Sequence, residues 1–208
     1  MLPAIDTWTT VLSRTLEAPS AHGSSQRKLL LVGHAGCGKT LLAKRLGDLL
    51  PPLTPELAEG LASWFPQYQF EPGAPAPFRA PHHTCSLAGM VGSRSLKRAG
   101  EVTLATGGTL FLDELPEFRS SAVAALLEVL TRGYIRLTSS LEDNDVWSLT
   151  LPARPTFVIA AMNTCPCGLL GCSRKTNGRV CQCSQDTLTA YYARCASWLP
   201  FFDQHVYL

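Results

Sequence analysis

Lys28-Leu29-Leu30-Leu31-Val32-Gly33-His34-Ala35-Gly36-Cys37-Gly38-Lys39-Thr40-Leu41-Leu42 is the stretch on which the reading of this chain turns. Lys28 to Val32 is a short apolar run stopped by Gly33, which suits a buried strand of a parallel sheet. Gly33 to Thr40 matches GxxxxGK[ST] in full. Leu41, Leu42, Leu46, Leu49 and Leu50 follow at roughly helical spacing from Thr40 to Leu50, until Pro51 and Pro52 forbid continuation. Strand, glycine-rich turn and helix in that order make a phosphate loop. The glycines let the backbone curl so that the N–H groups of Gly33, His34, Ala35, Gly36, Cys37, Gly38, Lys39, Thr40 and Leu41 can face phosphate oxygens. The helix N-terminus adds partial positive charge. Lys39 is expected to reach the β- and γ-phosphates of ATP, and the Thr40 hydroxyl to bind Mg²⁺. The competing reading is a chance glycine-rich turn.

Outward from the loop, the chain has 208 residues, 46% of them hydrophobic and 16% charged, with a net charge of +2. That is enough apolar matter for a real core, and it excludes whole-chain disorder. No collagen-like or coiled-coil repeat is visible. No apolar run approaches the roughly 20 residues that span a bilayer, and no basic-then-apolar leader opens the chain. A soluble cytoplasmic protein without a membrane partner is the expectation. The net charge is too small to argue nucleic-acid binding by itself. Residues 1–27 read as a polar lead-in or linker, and 28–208 as one core.

The second half of a nucleotide site is Leu110-Phe111-Leu112-Asp113-Glu114, an apolar strand (Thr109–Leu112) delivering two acids at its C-terminal edge. Ligands bind at that edge in open α/β sheets. Asp113 is expected in the Mg²⁺ shell and Glu114 to polarise the attacking water. Acids at the start of a helix are the alternative, since they favour that terminus. Thr156–Ala161 is another buried-type strand, and Asn163 just beyond it could reach the γ-phosphate or the water, or simply serve a turn. Ser120 or Ser121 can cap a helix carrying Val123, Leu126, Leu127 and Leu130, with Gly133 as its terminator. Tyr134–Thr138 and Val146–Leu151 look like a hairpin around a polar turn, Ser139 to Asp145. Ser184 can cap a helix to about Cys195. Pro51 to Ala99 is rich in Pro, Gly and His, with a short helix near Leu57–Trp64. Strands alternating with helices argue an α/β fold with a mainly parallel sheet.

Five of the eight cysteines fall between Cys165 and Cys183, within a cysteine-rich stretch 163–184. Without an export signal, clustering favours a metal or local redox role over a disulfide framework. Cys165, Cys167, Cys172, Cys181 and Cys183 give CxC…C…CxC, and four thiolates could close a tetrahedral zinc site. Free thiols or disulfides are the alternatives. Cys37, Cys85 and Cys195 read as small buried residues. His82 and His83 could bind a metal or an acidic partner, but hydrogen-bonded structure is the commoner use of such a pair. Arg174, Lys175 and Arg179 could meet phosphate, or be a solvated loop.

These strings resemble the magnesium-chelatase-like AAA+ ATPases, and most closely the ComM/YifB type. The resemblance is carried by Pro77-Phe78-Arg79-Ala80-Pro81-His82-His83-Thr84, Gly100-Glu101-Val102, Gly107 to Phe118, Ala161-Met162-Asn163, Cys165-Pro166-Cys167-Gly168 and Cys181-Gln182-Cys183. It implies a P-loop NTPase (AAA+) core with helices on both sheet faces that hydrolyses ATP, self-assembles into hexameric rings and handles DNA, as in branch migration during natural transformation. It puts Asn163 at the sensor position. It selects Cys165, Cys167, Cys181 and Cys183 as the zinc set, with Cys172 spare. It makes the Tyr134–Leu151 hairpin a candidate pore element facing DNA, with Arg132 and Arg136 as phosphate contacts. The family's Lon-like domain before the loop and its helical lid after the core are not found in the 208 residues. Its LLDRxD string reads Phe201-Phe202-Asp203-Gln204 here, without the arginine that acts across a subunit interface. ATP binding with slow turnover, as in a truncated member, is therefore expected. The alternatives are a nucleotide- and zinc-binding module with little hydrolysis, and a chelatase motor that drives metal insertion into a tetrapyrrole.

Overall fold

The computed structural model describes residues 26–68, 70–93, 98–140, 146–172 and 180–208. The lead-in to residue 25 and Arg174, Lys175 and Arg179 lie outside them, as do residues 141–145 of the hairpin turn.

The element order is β1 (Arg27–Val32), α1 (Lys39–Gly47), α2 (Pro55–Trp64), β2 (Phe78–Arg79), α3 (Leu87–Val91), β3 (Gly92–Ser93), β4 (Arg98–Ala99), α4 (Glu101–Leu104), β5 (Thr109–Leu112), α5 (Ser120–Arg132), β6 (Tyr134–Ser140), β7 (Val146–Pro152), β8 (Phe157–Met162), α6 (Gln185–Cys195) and β9 (Gln204–Tyr207). Single 3₁₀ turns at Leu115–Glu117 and Leu199–Phe201 precede α5 and β9. Five strands form one parallel sheet in the order β2-β5-β8-β1-β9. β8 is inserted between β1 and β5, so the loop after β1 and the acids after β5 flank the end of β8.

The unbroken apolar runs follow from burial on both faces. Alternate side chains of β1 and β8 point to opposite sides. Leu29, Leu31, Ile159 and Ala161 pack with Leu42, Ala43 and Leu46 of α1. Leu30, Val32, Val158, Ala160 and Met162 pack on the other side with Val123, Leu126 and Leu130 of α5 and with Tyr191 and Cys195 of α6. The molecule is an α/β fold with a parallel sheet and helices on both faces. Among the described residues no helix is long and apolar enough to cross a membrane.

Three local expectations need correction. α1 ends at Gly47, so Leu49 and Leu50 lie past it; the turn closes through Asp48, Leu49 and Leu50 N–H groups before the prolines are reached. Ser120 and Ser121 do not cap α5: Arg119 is the cap residue and the serines are its first two helical positions. Cys37 and Cys85 are only half-buried, whereas Cys195 is buried. The other two caps hold. Gly133 terminates α5 with φ 74°. Ser184 accepts from the Thr187 N–H at the start of α6.

The hairpin β6–β7 is antiparallel, pairing Tyr134 with Pro152 through Ser140 with Val146, and stands outside the main sheet. Arg132, at the end of α5, sits 2.6 Å from Glu128 one turn back, an exposed pair. Arg136 is exposed on β6.

Candidate functional site

The turn after β1 delivers its lysine inward. Gly36 and Gly38 adopt φ of 76° and 97°, values that a side chain resists. Gly33 is pinned differently: a Cβ there would meet Cys37 Sγ at 2.5 Å and the Leu208 carbonyl oxygen at 2.7 Å. The loop therefore needs all three glycines. Lys39, the first residue of α1, is 8% exposed. Its ammonium donates to the carbonyls of Gly33 and His34 and to Asn163 Oδ1, each at 2.9 Å. Asn163 thus touches the phosphate loop across 124 residues of sequence.

The acidic pair sits beside it. Asp113 is split between two donors: Oδ2 accepts from the Thr40 hydroxyl at 3.0 Å and Oδ1 from the Glu114 N–H at 3.0 Å. Two oxygens in neighbouring positions of an octahedron around Mg²⁺ at about 2.1 Å stand about 3.0 Å apart. The hydroxyl and carboxylate oxygens thus have both the chemistry and the spacing for that ion. Glu114 has φ 55°, the sole positive φ outside glycine among the described residues. Such strain costs about 1–3 kcal/mol and collects at functional sites. Its side chain makes no cap hydrogen bond to the 3₁₀ turn that follows.

Sequence reasoning left His83 outside the site. His83 Nδ1 lies 3.5 Å from Glu114 Oε2. The His83 ring stacks on His82 with centroids 4.0 Å apart and meets Phe118 edge-on at 6.4 Å. His82 Nδ1 is 2.9 Å from Thr84 Oγ1, so that histidine is held by its own turn. The hints in the sequence are the HH pair itself and its place in the Pro77–Thr84 string, a stretch without periodicity. Arg79 does not reach the site; it makes a two-pronged pair with Glu101 at 2.7 and 2.8 Å, tying β2 to α4. Leu41, counted with the loop, has its side chain 51% exposed.

The loop after β8 carries the second cluster. The sulfurs of Cys165, Cys167, Cys181 and Cys183 all lie within 4.8 Å of one another. Cys165 is buried and Cys167 exposed. Four sulfurs bound to one Zn²⁺ at about 2.3 Å stand about 3.8 Å apart. The Cys165–Cys167, Cys167–Cys181 and Cys181–Cys165 separations are 3.3, 3.6 and 3.7 Å. The Leu170 N–H donates to Cys165 Sγ at 3.3 Å, the kind of contact that supports a thiolate ligand. The Cys183 backbone favours the Cys181 thiolate, but desolvation and the sulfurs of Cys167, Cys165 and Cys183 outweigh it and push that thiol up to about 12. A bound cation reverses that balance, because a coordinating thiol is deprotonated.

The chain is similar to known proteins along most of its length. The family described as magnesium chelatase, subunit ChlI, matches residues 13–204. The uncharacterized protein YifB of Salmonella typhimurium is 37% identical over 195 residues, 92% of this chain and 35% of that protein. The competence protein ComM of Haemophilus influenzae is 41% identical over 149 residues, 70% of this chain and 28% of its own length. The chain thus spans about a third of the curated relatives it matches. Among solved structures, NtrX from Brucella abortus in complex with ATP aligns over 99% of this chain and 38% of its own, at 16% identity and a TM-score of 0.48. With its match over residues 13–204, this chain belongs to the magnesium chelatase, subunit ChlI, family, and within it is similar to YifB and ComM.

Proposed function

We propose that this chain binds Mg·ATP at the turn after β1, hydrolyses it slowly, and serves as the nucleotide unit of a self-assembling AAA+ motor that handles DNA. One observation carries the nucleotide reading: Lys39, Thr40, Asp113 and Asn163, from three different strand ends, are joined by direct hydrogen bonds. Mg²⁺ held by Thr40 and Asp113 would neutralise charge on the β- and γ-phosphates. Lys39 would exchange its bond to Asn163 for phosphate oxygen, and the freed amide would face the γ-phosphate. Glu114 would orient a water for attack on the γ-phosphorus and take up its proton. The bond from that phosphorus to the bridging oxygen breaks, giving ADP and phosphate. His83, beside Glu114, is a positioning residue. Gln204 stands where the family string has an arginine, and a missing arginine finger costs about 10³–10⁵ in rate. Turnover by this chain is therefore slow.

The DNA part rests on likeness to a protein named for competence, with exposed Arg136 on the hairpin as its local support. Ring assembly and the zinc in the cysteine cluster belong to the same proposal. Titration of the protein with a fluorescent ATP analogue and Mg²⁺ tests the nucleotide reading. Saturable, ATP-competed binding below millimolar concentration is expected. No binding at millimolar nucleotide contradicts it.

A further inference from the structure

The cysteine loop touches the phosphate loop directly. The Ala35 N–H, inside the phosphate loop, donates to the Gly168 carbonyl at 2.7 Å. Gly168 follows Cys167, has φ 74°, and lies so close that a Cβ on it would meet Ala35 Cβ at 2.8 Å and Asn163 Nδ2 at 3.6 Å. Its N–H donates to the Cys165 carbonyl at 3.0 Å, closing a tight turn between the first two sulfurs. The same segment is anchored behind. Thr164 Oγ1 donates to the Leu170 carbonyl, and the Tyr192 hydroxyl of α6 donates to the Thr164 carbonyl at 2.9 Å. Asn163, Thr164 and Cys165 are consecutive. The residue that bonds Lys39 and the first metal-type ligand are therefore two positions apart on one short, hydrogen-bonded turn.

The geometry points to a structural Zn²⁺ on Cys165, Cys167, Cys181 and Cys183 that holds the phosphate loop through the Gly168–Ala35 contact, so that metal loading and nucleotide binding are linked. This deepens the nucleotide reading and rests on it. The reason is mechanical. Cys181 and Cys183 come from the far side of residues 173–179, and their sulfurs converge with those of buried Cys165 and exposed Cys167, so a shared ligand ties the two ends together at this point. The metal binds as the thiols release their protons to solvent, and it fixes the turn that presents the Gly168 carbonyl and Asn163. Without the metal the turn samples other shapes, and the phosphate loop loses a support on the side where Lys39 is held. Linkage is reciprocal, so Mg·ATP raises zinc affinity by the factor by which zinc raises nucleotide affinity.

The test uses the full chain. Elemental analysis should give one zinc per chain in the wild type and none in a Cys165→Ser, Cys181→Ser double variant. Chelator-stripped protein should bind Mg·ATP about tenfold more weakly than the zinc-loaded form, with affinity restored by zinc. Gly168→Ala should keep its zinc and bind Mg·ATP more weakly, which tests the Gly168–Ala35 contact; if stripping unfolds the protein, zinc affinity measured by chelator competition with and without Mg·ATP decides the link, an increase of about tenfold being expected and no change overturning it. Absence of zinc in the wild type overturns the metal site, whatever ATP does. Zinc bound, with unchanged nucleotide affinity in both the stripped and the Gly168→Ala protein, overturns the link. Zinc bound with no nucleotide binding at all overturns the nucleotide reading and the link with it, leaving the metal site standing.

Discussion

Lys39→Ala removes Mg·ATP binding from the measurable range while the protein stays folded. The ammonium is aimed into the turn, and its bonds to phosphate are of the charge-assisted kind, each worth more than a neutral pair. Losing them is worth about 3 kcal/mol, more than about 100-fold in affinity. The substitution also leaves the Gly33 and His34 carbonyls and Asn163 Oδ1 without their shared donor. Water can replace it there, since Asn163 is only half-buried. Calorimetric titration should show no heat of binding, with an unchanged circular dichroism spectrum. Wild-type affinity in a folded Lys39→Ala protein would remove the phosphate-loop assignment.

Glu114→Gln separates binding from chemistry. Glutamine keeps the shape and the strained φ of 55°, but it cannot take up a proton. Loss of a positioned base typically costs about 10²–10⁴ in rate. Single-turnover hydrolysis over hours, with protein in excess, should therefore fall at least about 100-fold, and Mg·ATP affinity should stay within about twofold. His83→Ala should fall on the same side of that split, with a slower step, unchanged affinity and partial rescue in His83→Gln, which can still donate to Glu114. If Glu114→Gln hydrolyses ATP at the wild-type rate, the water-orienting role belongs to another group.

The parts of this architecture that sequence reading reached are those written in local patterns. β1, β5 and β8 are buried on both faces and so read as unbroken apolar runs, and the glycines of the loop must be glycine for steric reasons. The expectation that Thr40 and Asp113 serve one ion comes from motif order, and the hydroxyl and carboxylate stand 3.0 Å apart. Other parts have no local pattern. β2 and β9 are edge strands of two and four residues, specified by their neighbours rather than by their own periodicity. His83 reaches Glu114 only because β2 pairs with β5, which brings the turn after β2 beside the acids. The Gly168–Ala35 bond spans 133 residues and involves backbone atoms alone, so no side-chain identity announces it. Ser120 and Ser121 misled for a related reason. A serine can cap a helix or enter its first turn, and the preceding chain direction chooses between them.

A crystal structure of the protein grown with Mg²⁺ and a non-hydrolysable ATP analogue decides whether the turn after β1 is the nucleotide site. The expected result is the β- and γ-phosphates in the curl from Gly33 to Thr40, with Lys39 Nζ moved from Asn163 onto phosphate oxygen and the metal beside Thr40 and Asp113. Nucleotide bound elsewhere, or bound here with Lys39 still on Asn163 and no metal near Asp113, would contradict it.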